Sequence, residues 1–376
     1  MSDDLRLKQI ALARQALLCD GADLTDMLAS AWYDRTWIIQ SWRRCLEQGA
    51  LPQEEVVFEQ VSPHARSRAI DEHASLLVAA RPELERLAAT IAPIRYFALL
   101  TDARGMVIDT AGAIDRRNRP TQAIARVGVD LSERSIGTSA IGAALTELAP
   151  VWLHRGEHFF QNNSVYSCAG APLFGPDGAC VGMLDVTGVE VPERPELRHL
   201  VAQSARAIED ALVLSLPHSL RLYLSWPATW RTSGGAVEGA LVCLDEDGSV
   251  VGANHAAREM LPGLRAAPRG LPHASELFAL PWATLFDLAH EGRACTVPLW
   301  SGLRLCASAQ FNAEGPHAAS PATGQGAMRP LREVETDLIR QAVRDAGGRV
   351  AEAAKALGLS RATVYRHLAA VRHGER

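Results

Sequence analysis

Residues Cys168–Gly188 read CAGAPLFGPDGACVGMLDVTG, and this stretch decides the fold. Two apolar runs, Ser167–Phe174 and Cys180–Thr187, flank Gly175–Pro176–Asp177–Gly178. Proline presets φ and glycine accepts positive φ, so the tetrapeptide suits a tight turn and the pair predicts a β-hairpin. Both runs are apolar at nearly every position, the pattern of buried or half-buried strands. Asp185 lies between Leu184 and Val186, where a carboxylate needs a hydrogen-bonding partner. Ser135 and Thr138 are candidates for that partner, and contact with a ligand is the alternative.

Upstream, YFALLTD (Tyr96–Asp102) and MVIDTAG (Met106–Gly112) form a second hairpin signal across Ala103–Arg104–Gly105. Between the hairpins lie an arginine-rich loop (Asp115–Arg126), a helix (Thr138–Leu148), a short strand (Val151–Leu153) and a short helix near Glu157–Asn162. Helices set on an antiparallel sheet make residues 76–215 an α+β domain with an exit helix. Residues 1–75 form a helical N-terminal region, with helices at Leu5–Leu18 and Asp26–Gln48. In the second of these, Trp32, Ile38, Ile39, Trp42 and Leu46 recur at helical spacing and Gly49 supplies a stop. A further helix is expected from Ser62 to about Thr90.

Downstream, Pro192 and Pro195 open a helix carrying a stripe of Leu197, Val201, Ser204, Ile208 and Ala211. The stripe suits either a packing face or a short dimer coiled coil. Gly239–Leu244 and Ser249–Ala253 form a third hairpin across Asp245–Gly248, a helix follows at Asn254–Met260, and strands follow at Cys295–Leu299 and Leu303–Gln310. Residues 222–311 are therefore a second, smaller α+β unit. Residues 312–330, NAEGPHAASPATGQGAMRP, have the composition of a flexible linker.

Residues 331–376 carry three helical segments, Glu333–Ala346, Val350–Leu357 and Arg361–Val371. Gly347–Gly348 ends the first, and Gly358 sits in the turn before the third. Ser360 is placed to cap the last helix, and Val364 and Leu368 share its inner face. This spacing reads as a helix-turn-helix, leaving Ser360, Arg361, Thr363, Tyr365 and Arg366 as the DNA-binding face. Arginine can pair bidentately with guanine in the major groove.

Charge supports that placement. From Arg329 onward there are ten Lys or Arg against six Asp or Glu, a net +4, which leaves −9 on the remainder of a chain with net charge −5. A basic tail on an acidic body is the distribution of a protein that meets a polyanion through one terminal module. Among the 38 basic residues only Lys8 and Lys355 are lysines, and neither follows a glycine-rich turn, so no P-loop is present in these 376 residues. With 48% hydrophobic and 22% charged residues the chain is globular, and neither a membrane span nor a secretory signal is legible, so a cytoplasmic protein is expected. The seven cysteines are scattered without a C-x-x-C pair.

Three motifs admit functional readings beside plain ones. His154–Arg155–Gly156–Glu157–His158 matches the H-x-x-E-H of inverted zinc proteases, but the strand-like residues before it argue for a structural or pocket role. Gly137–Gly142 has glycine spacing at a helix head, with Ala143 and Ala144 where a nucleotide site needs lysine and Ser/Thr. Close packing is expected there, with a small-anion cradle as the alternative. Cys168 reads as packing, with a redox or metal sensor as the alternative. No metal, cofactor or catalytic residue is expected.

The segment Leu338–Leu368, LIRQAVRDAGGRVAEAAKALGLSRATVYRHL, resembles the Fis-type helix-turn-helix that ends many bacterial enhancer-binding regulators. SWRRCLEQGALP (Ser41–Pro52), SIGTSAIGAALTELAPVWLHRGEHF (Ser135–Phe159) and Cys168–Gly188 resemble the sensory half of the acetoin-catabolism regulator family, the last two within a GAF domain. Gly239–Leu261 resembles, more loosely, the PAS domain of the same proteins. The resemblance implies an α+β multidomain regulator that senses a small-molecule effector through its GAF domain, with the PAS-like unit as a second candidate. It places the ligand between the sheet and His154–Asn162, with His158, Phe159, Asn162 and Cys168 as lining candidates. A single helix-turn-helix rarely suffices for specific affinity, so a homodimer on a palindromic double-stranded DNA operator is expected, with RNA polymerase as a candidate further partner and no membrane. Those regulators place a sigma-54-remodelling ATPase before the helix-turn-helix, whereas Gln310 is followed here by the linker, so ATPase activity is not expected. Two alternatives stand beside this reading: a modulator that heterodimerises with a full-length sigma-54 activator, and a GAF-based redox enzyme.

Overall fold

The computed structural model describes residues 2–19, 35–59, 61–227, 239–265 and 270–312. The chain divides into two compact units, Met1–Ala318 and Ala319–Arg376. The three helical segments expected after residue 331, with Ser360, Arg361, Thr363, Tyr365 and Arg366, lie outside the described residues, as does most of the 312–330 linker.

The chain begins with helices α1 (Ser2–Arg14), which ends in a π-helical turn (Gln15–Cys19), α2 (Thr36–Glu47), α3 (Pro63–Glu72) and α4 (Ala74–Ile91). The single helix expected from Ser62 to Thr90 is thus two, separated at His73 (φ −107°, ψ 20°). Ser62 caps α3 by accepting from Ala65 N, but neither proline nor glycine marks the break, so the residues alone give no stop there.

Strands β1 (Tyr96–Asp102) and β2 (Val107–Gly112), helices α5 (Arg119–Ile124) and α6 (Ala140–Glu147), and strands β3 (Val151–His154), β4 (Tyr166–Phe174) and β5 (Cys180–Val189) follow. The strands form one antiparallel sheet in the order β2-β1-β5-β4-β3. Every residue of β4 is buried, because the sheet is covered on both faces. Alternate residues supply the two cores: Ala98, Leu100, Ala169, Ala171, Leu184 and Val186 meet α4 and the long helix α7 (Leu197–Leu214), while Phe97, Leu99, Cys168 and Met183 meet α6 and its flanking loops. Leu197, Val201 and Ile208 of α7 lie in the first core, so the stripe is a packing face. At Gly182 a Cβ would stand 2.2 Å from the Thr101 carbonyl oxygen, which requires glycine in β5.

A second antiparallel sheet has the order β8-β7-β6-β10-β9, from β6 (Leu220–Ser225), β7 (Ala240–Leu244), β8 (Val250–Ala253), β9 (Cys295–Pro298) and β10 (Arg304–Phe311). Its helices include α8 (His255–Met260) and α9 (Ala283–Glu291). The central strand β6 was not among the expected strands, and it starts two residues before position 222. Leu220, Leu222 and Leu224 alternate into the core, so its period is that of a strand. Buried Glu209 of α7 joins the two sheets, accepting from Phe174 N (3.1 Å) and His255 N (3.3 Å), while the Phe174 and His255 rings stack at 4.2 Å. Burial pushes the Glu209 carboxyl up to about 7.

Candidate functional site

The α6-facing side of the first sheet encloses a small cavity among Phe58, Leu99, Ile124, Ile136, Ser139, His158, Asn163, Tyr166, Cys168, Asp185 and Thr187. Its volume is ≈ 20 Å³, room for about one water molecule. Strand pairing builds its polar floor, since register sets Cys168 opposite Thr187 and Gly170 opposite Asp185, and residues two apart share a face. A larger cleft of ≈ 690 Å³ lies between Leu214–Ser219 and Asp245–Asp247 and opens to solvent.

The polar groups of the cavity form a chain. His158 Nδ1 lies 2.8 Å from the Arg155 carbonyl oxygen, which only accepts, so Nδ1 carries the hydrogen and Nε2 the lone pair. Nε2 faces Cys168 Sγ at 3.7 Å, and Cys168 Sγ lies 3.2 Å from Thr187 Oγ1, which is 2.5 Å from Asp185 Oδ2. A hydroxyl has one hydrogen and a thiol has one. Thr187 gives its hydrogen to Asp185 Oδ2, the shorter of its two contacts, Cys168 can give its own to His158 Nε2, and His158 Nδ1 donates to Arg155 O. Burial pushes Asp185 up to about 7, His158 down to about 4 and the Cys168 thiol well above its ordinary value, which favours the neutral form of each. Asp185 Oδ1 and Asn163 Oδ1 are buried without a partner among the described residues.

The sequence and the structure differ at several of these positions. Asp185 is held by Thr187, not by Ser135 or Thr138: Ser135 Oγ donates to Asp130 Oδ2 (2.5 Å), and Thr138 Oγ1 lies 2.7 Å from Ser41 Oγ. His158 and Cys168 line the cavity, but Phe159 and Asn162 do not. Phe159 is fully buried on the other side of its segment, in a core with Ile10, Ile38 and Trp42. Asn162 is exposed, and its neighbour Asn163 takes the position at the cavity because the short helix expected at Glu157–Asn162 is two 3-10 turns, Arg155–Glu157 and Gln161–Val165. The head of α6 is closely packed, with Ser139 Oγ accepting from Gly142 N and a Cβ at Gly142 lying 2.7 Å from Glu133 Cβ.

The N-terminal helices hold the segment that carries His158. Arg35 makes a two-pronged bond to fully buried Glu157 (2.8 and 2.7 Å), and Glu157 also accepts from His154 N (2.7 Å). Trp42 Nε1 donates to Glu157 O, and Arg14 donates to the carbonyls of Gly156, His158 and Phe159. Arg155 takes a left-handed backbone (φ 48°) inside this clasp. His154 Nδ1 lies 2.6 Å from Ser167 Oγ, apart from His158 and its partners, and no cluster of metal-ligating side chains occurs among the described residues. Sequence reasoning did not identify the roles of Arg14, Arg35 and Glu157, since their contacts cross more than a hundred residues.

Residues 8–210, more than half of the chain, match the family model described as MimR, N-terminal domain. The chain belongs to this family. Residues 330–370 match the model described as bacterial regulatory protein, Fis family, over the segment that resembles a Fis-type helix-turn-helix. Among curated relatives, the acetoin catabolism regulatory protein of Cupriavidus necator is 32% identical over 67% of this chain and 39% of its own length. The propane 2-monooxygenase operon transcriptional activator MimR of Mycolicibacterium smegmatis is 28% identical over 53% of this chain and 32% of its own length. The matches thus span less than half the length of these relatives. A crystal structure of the E. coli DhaR(N)–DhaL complex aligns with a TM-score of 0.45 at 17% identity, covering 73% of this chain and 99% of that one. No helix among the described residues is long and apolar enough to cross a membrane.

Proposed function

We propose that the protein is a sequence-specific DNA-binding transcriptional regulator whose cavity beneath His158, Asn163, Cys168 and Asp185 receives a small-molecule effector. The observation that carries this reading is one chain holding both a Fis-family match at residues 330–370 and a small buried cavity inside the MimR N-terminal domain match. In this reading residues 76–215 are a GAF-like sensor and residues 222–311 a PAS-like domain. The 312–330 linker joins them to a helix-turn-helix that meets DNA through Ser360, Arg361, Thr363, Tyr365 and Arg366. The working form is a cytoplasmic homodimer, because two half-sites give specific affinity that one helix-turn-helix rarely supplies.

Effector binding changes DNA affinity only if the effector prefers one arrangement of the dimer. The segment His154–Phe160 is suited to this, with His158 toward the cavity and Phe159 toward α1 and α2. The chemistry of the site favours binding over catalysis. A buried thiol held protonated beside a neutral imidazole is a poor nucleophile, which weighs against the redox-enzyme alternative. The lack of a P-loop lysine supports regulation without ATP hydrolysis. Fluorescence anisotropy of the purified chain on selected operator DNA tests the reading: Arg361→Ala and Arg366→Ala are expected to weaken specific binding, and wild-type affinity in both variants would contradict it.

A further inference from the structure

We propose that the cleft between the β4–β5 turn and α8 binds a small oxyanion, the phosphate or carboxylate group of a metabolite, whose charge compensates Arg258. The site is separate from the cavity beneath His158, and the inference does not depend on how the chain meets DNA.

Arg258 is a buried cation without a counter-ion. It is 7% exposed, and it forms no ion pair among the described residues. Its Nη1 donates to Leu264 O (3.2 Å) and its Nη2 to Pro176 O (2.5 Å), while Nε is buried without a partner. Carbonyl oxygens satisfy two of its hydrogens and leave the positive charge uncancelled, which is costly out of water. Burial accordingly lowers the Arg258 guanidinium below its ordinary value, and Asp177 opposes this with a smaller effect. Asp177 is exposed, and its Oδ1 accepts from Ala179 N within its own turn (3.0 Å).

The surroundings of Arg258 are those of an anion site. It lines a cleft of ≈ 550 Å³ that opens to solvent, together with Phe174, Asp177, Gly178, His255 and Arg265. That volume is within the range of small-molecule sites, so the walls need not move. The cationic groups lie within reach of one small ligand: His255 and Arg258 stand three residues apart on α8 and share a face, and Arg265 Nε donates to Arg258 O (3.1 Å). Gly178 lets the turn close over Arg258, since a Cβ there would stand 2.6 Å from Nε. Two guanidinium groups against one exposed carboxylate favour an anion over a neutral or cationic ligand. Glu259 faces Arg265 and His255 at 3.6 and 3.8 Å, longer than hydrogen bonds, and its side chain is 57% exposed, so it competes weakly.

Isothermal titration calorimetry on the full chain at constant ionic strength tests this with inorganic phosphate, acetate and chloride. Phosphate or acetate is expected to bind more tightly than chloride, and the tighter of the two identifies the class of oxyanion. Arg265→Ala is expected to weaken binding about tenfold, the loss of one charge-assisted hydrogen bond. Arg258→Met keeps a buried stem and is expected to abolish binding. Arg293→Ala, which removes an exposed arginine of the second unit paired with Glu291, is expected to leave it unchanged. Circular dichroism verifies the fold of each variant, and where Arg258→Met does not fold, Arg265→Ala decides. Heat from neither oxyanion, binding unchanged in either folded variant, or equal weakening by Arg293→Ala overturns the site. Phosphate held by the basic tail instead would show as binding insensitive to both Arg258 and Arg265.

Discussion

Asp185 stands at 0% exposure on β5 with its carboxyl pushed up to about 7 by burial, which sets a testable pH dependence. Between about pH 4 and 7 the folded chain holds a proton that the unfolded chain has released, so stability falls as pH rises through that window and levels off above it. Each pH unit across the window is worth ~1.4 kcal/mol. Asp185→Asn removes this slope. Urea unfolding of wild type and variant at pH 5 and pH 8 is expected to show the variant gaining a few kcal/mol relative to wild type at the higher pH, and equal differences at the two pH values would contradict the buried-acid account. The sequence showed that Asp185 needed a partner, because a carboxyl in an apolar run is costly wherever the strand lies. Strand alternation itself offers the partner, since Thr187 is two residues along the same strand and faces the same way, whereas Ser135 and Thr138 lie on another segment. Asn162 and Asn163 differ in burial through a single turn of 3-10 helix, a distinction that hydrophobic periodicity does not resolve.

At the scale of elements, the β4–β5 hairpin was legible because its runs and its turn agree. The break at His73 was less legible, since neither proline nor glycine marks it, whereas β6 carries a strand's period in Leu220, Leu222 and Leu224. The clasp on His154–Phe160 was not legible, since its partners are distant in sequence. Arg35 reaches Glu157 across 122 positions and stacks over the Trp152 ring at 4.2 Å. Removing one member of a buried pair strands the other charge, so Arg35→Ala is expected to cost about 3–5 kcal/mol by denaturant unfolding, with the paired Arg35→Met/Glu157→Met variant recovering much of it. A double variant no more stable than Arg35→Ala would show that the ion pair is not the source of the loss. Within β5, Gly182→Ala is expected to destabilise the sheet because its Cβ would press on the Thr101 carbonyl, and an unchanged thermal midpoint would contradict that packing.

At the scale of the molecule, the account rests on a division of labour legible in the charge distribution: an acidic body carrying the cavity and a basic tail carrying the Fis-family match. Arg361 and Arg366 belong to this scale: if the proposed recognition face sets either guanidinium against a base edge, its removal is expected to cost roughly 1–3 kcal/mol of operator affinity and to relax specificity at one position of each half-site. Purified protein is expected to show ATP hydrolysis no higher than background, and activity that copurifies with it would contradict the reading from the missing P-loop lysine. The central claim is autonomous, sequence-specific DNA binding by a dimer. Selection of genomic fragments by the purified full chain, followed by sequencing, tests it most directly: the account expects enrichment of an inverted repeat with half-sites about one helical turn apart, and enrichment of no inverted repeat would contradict it.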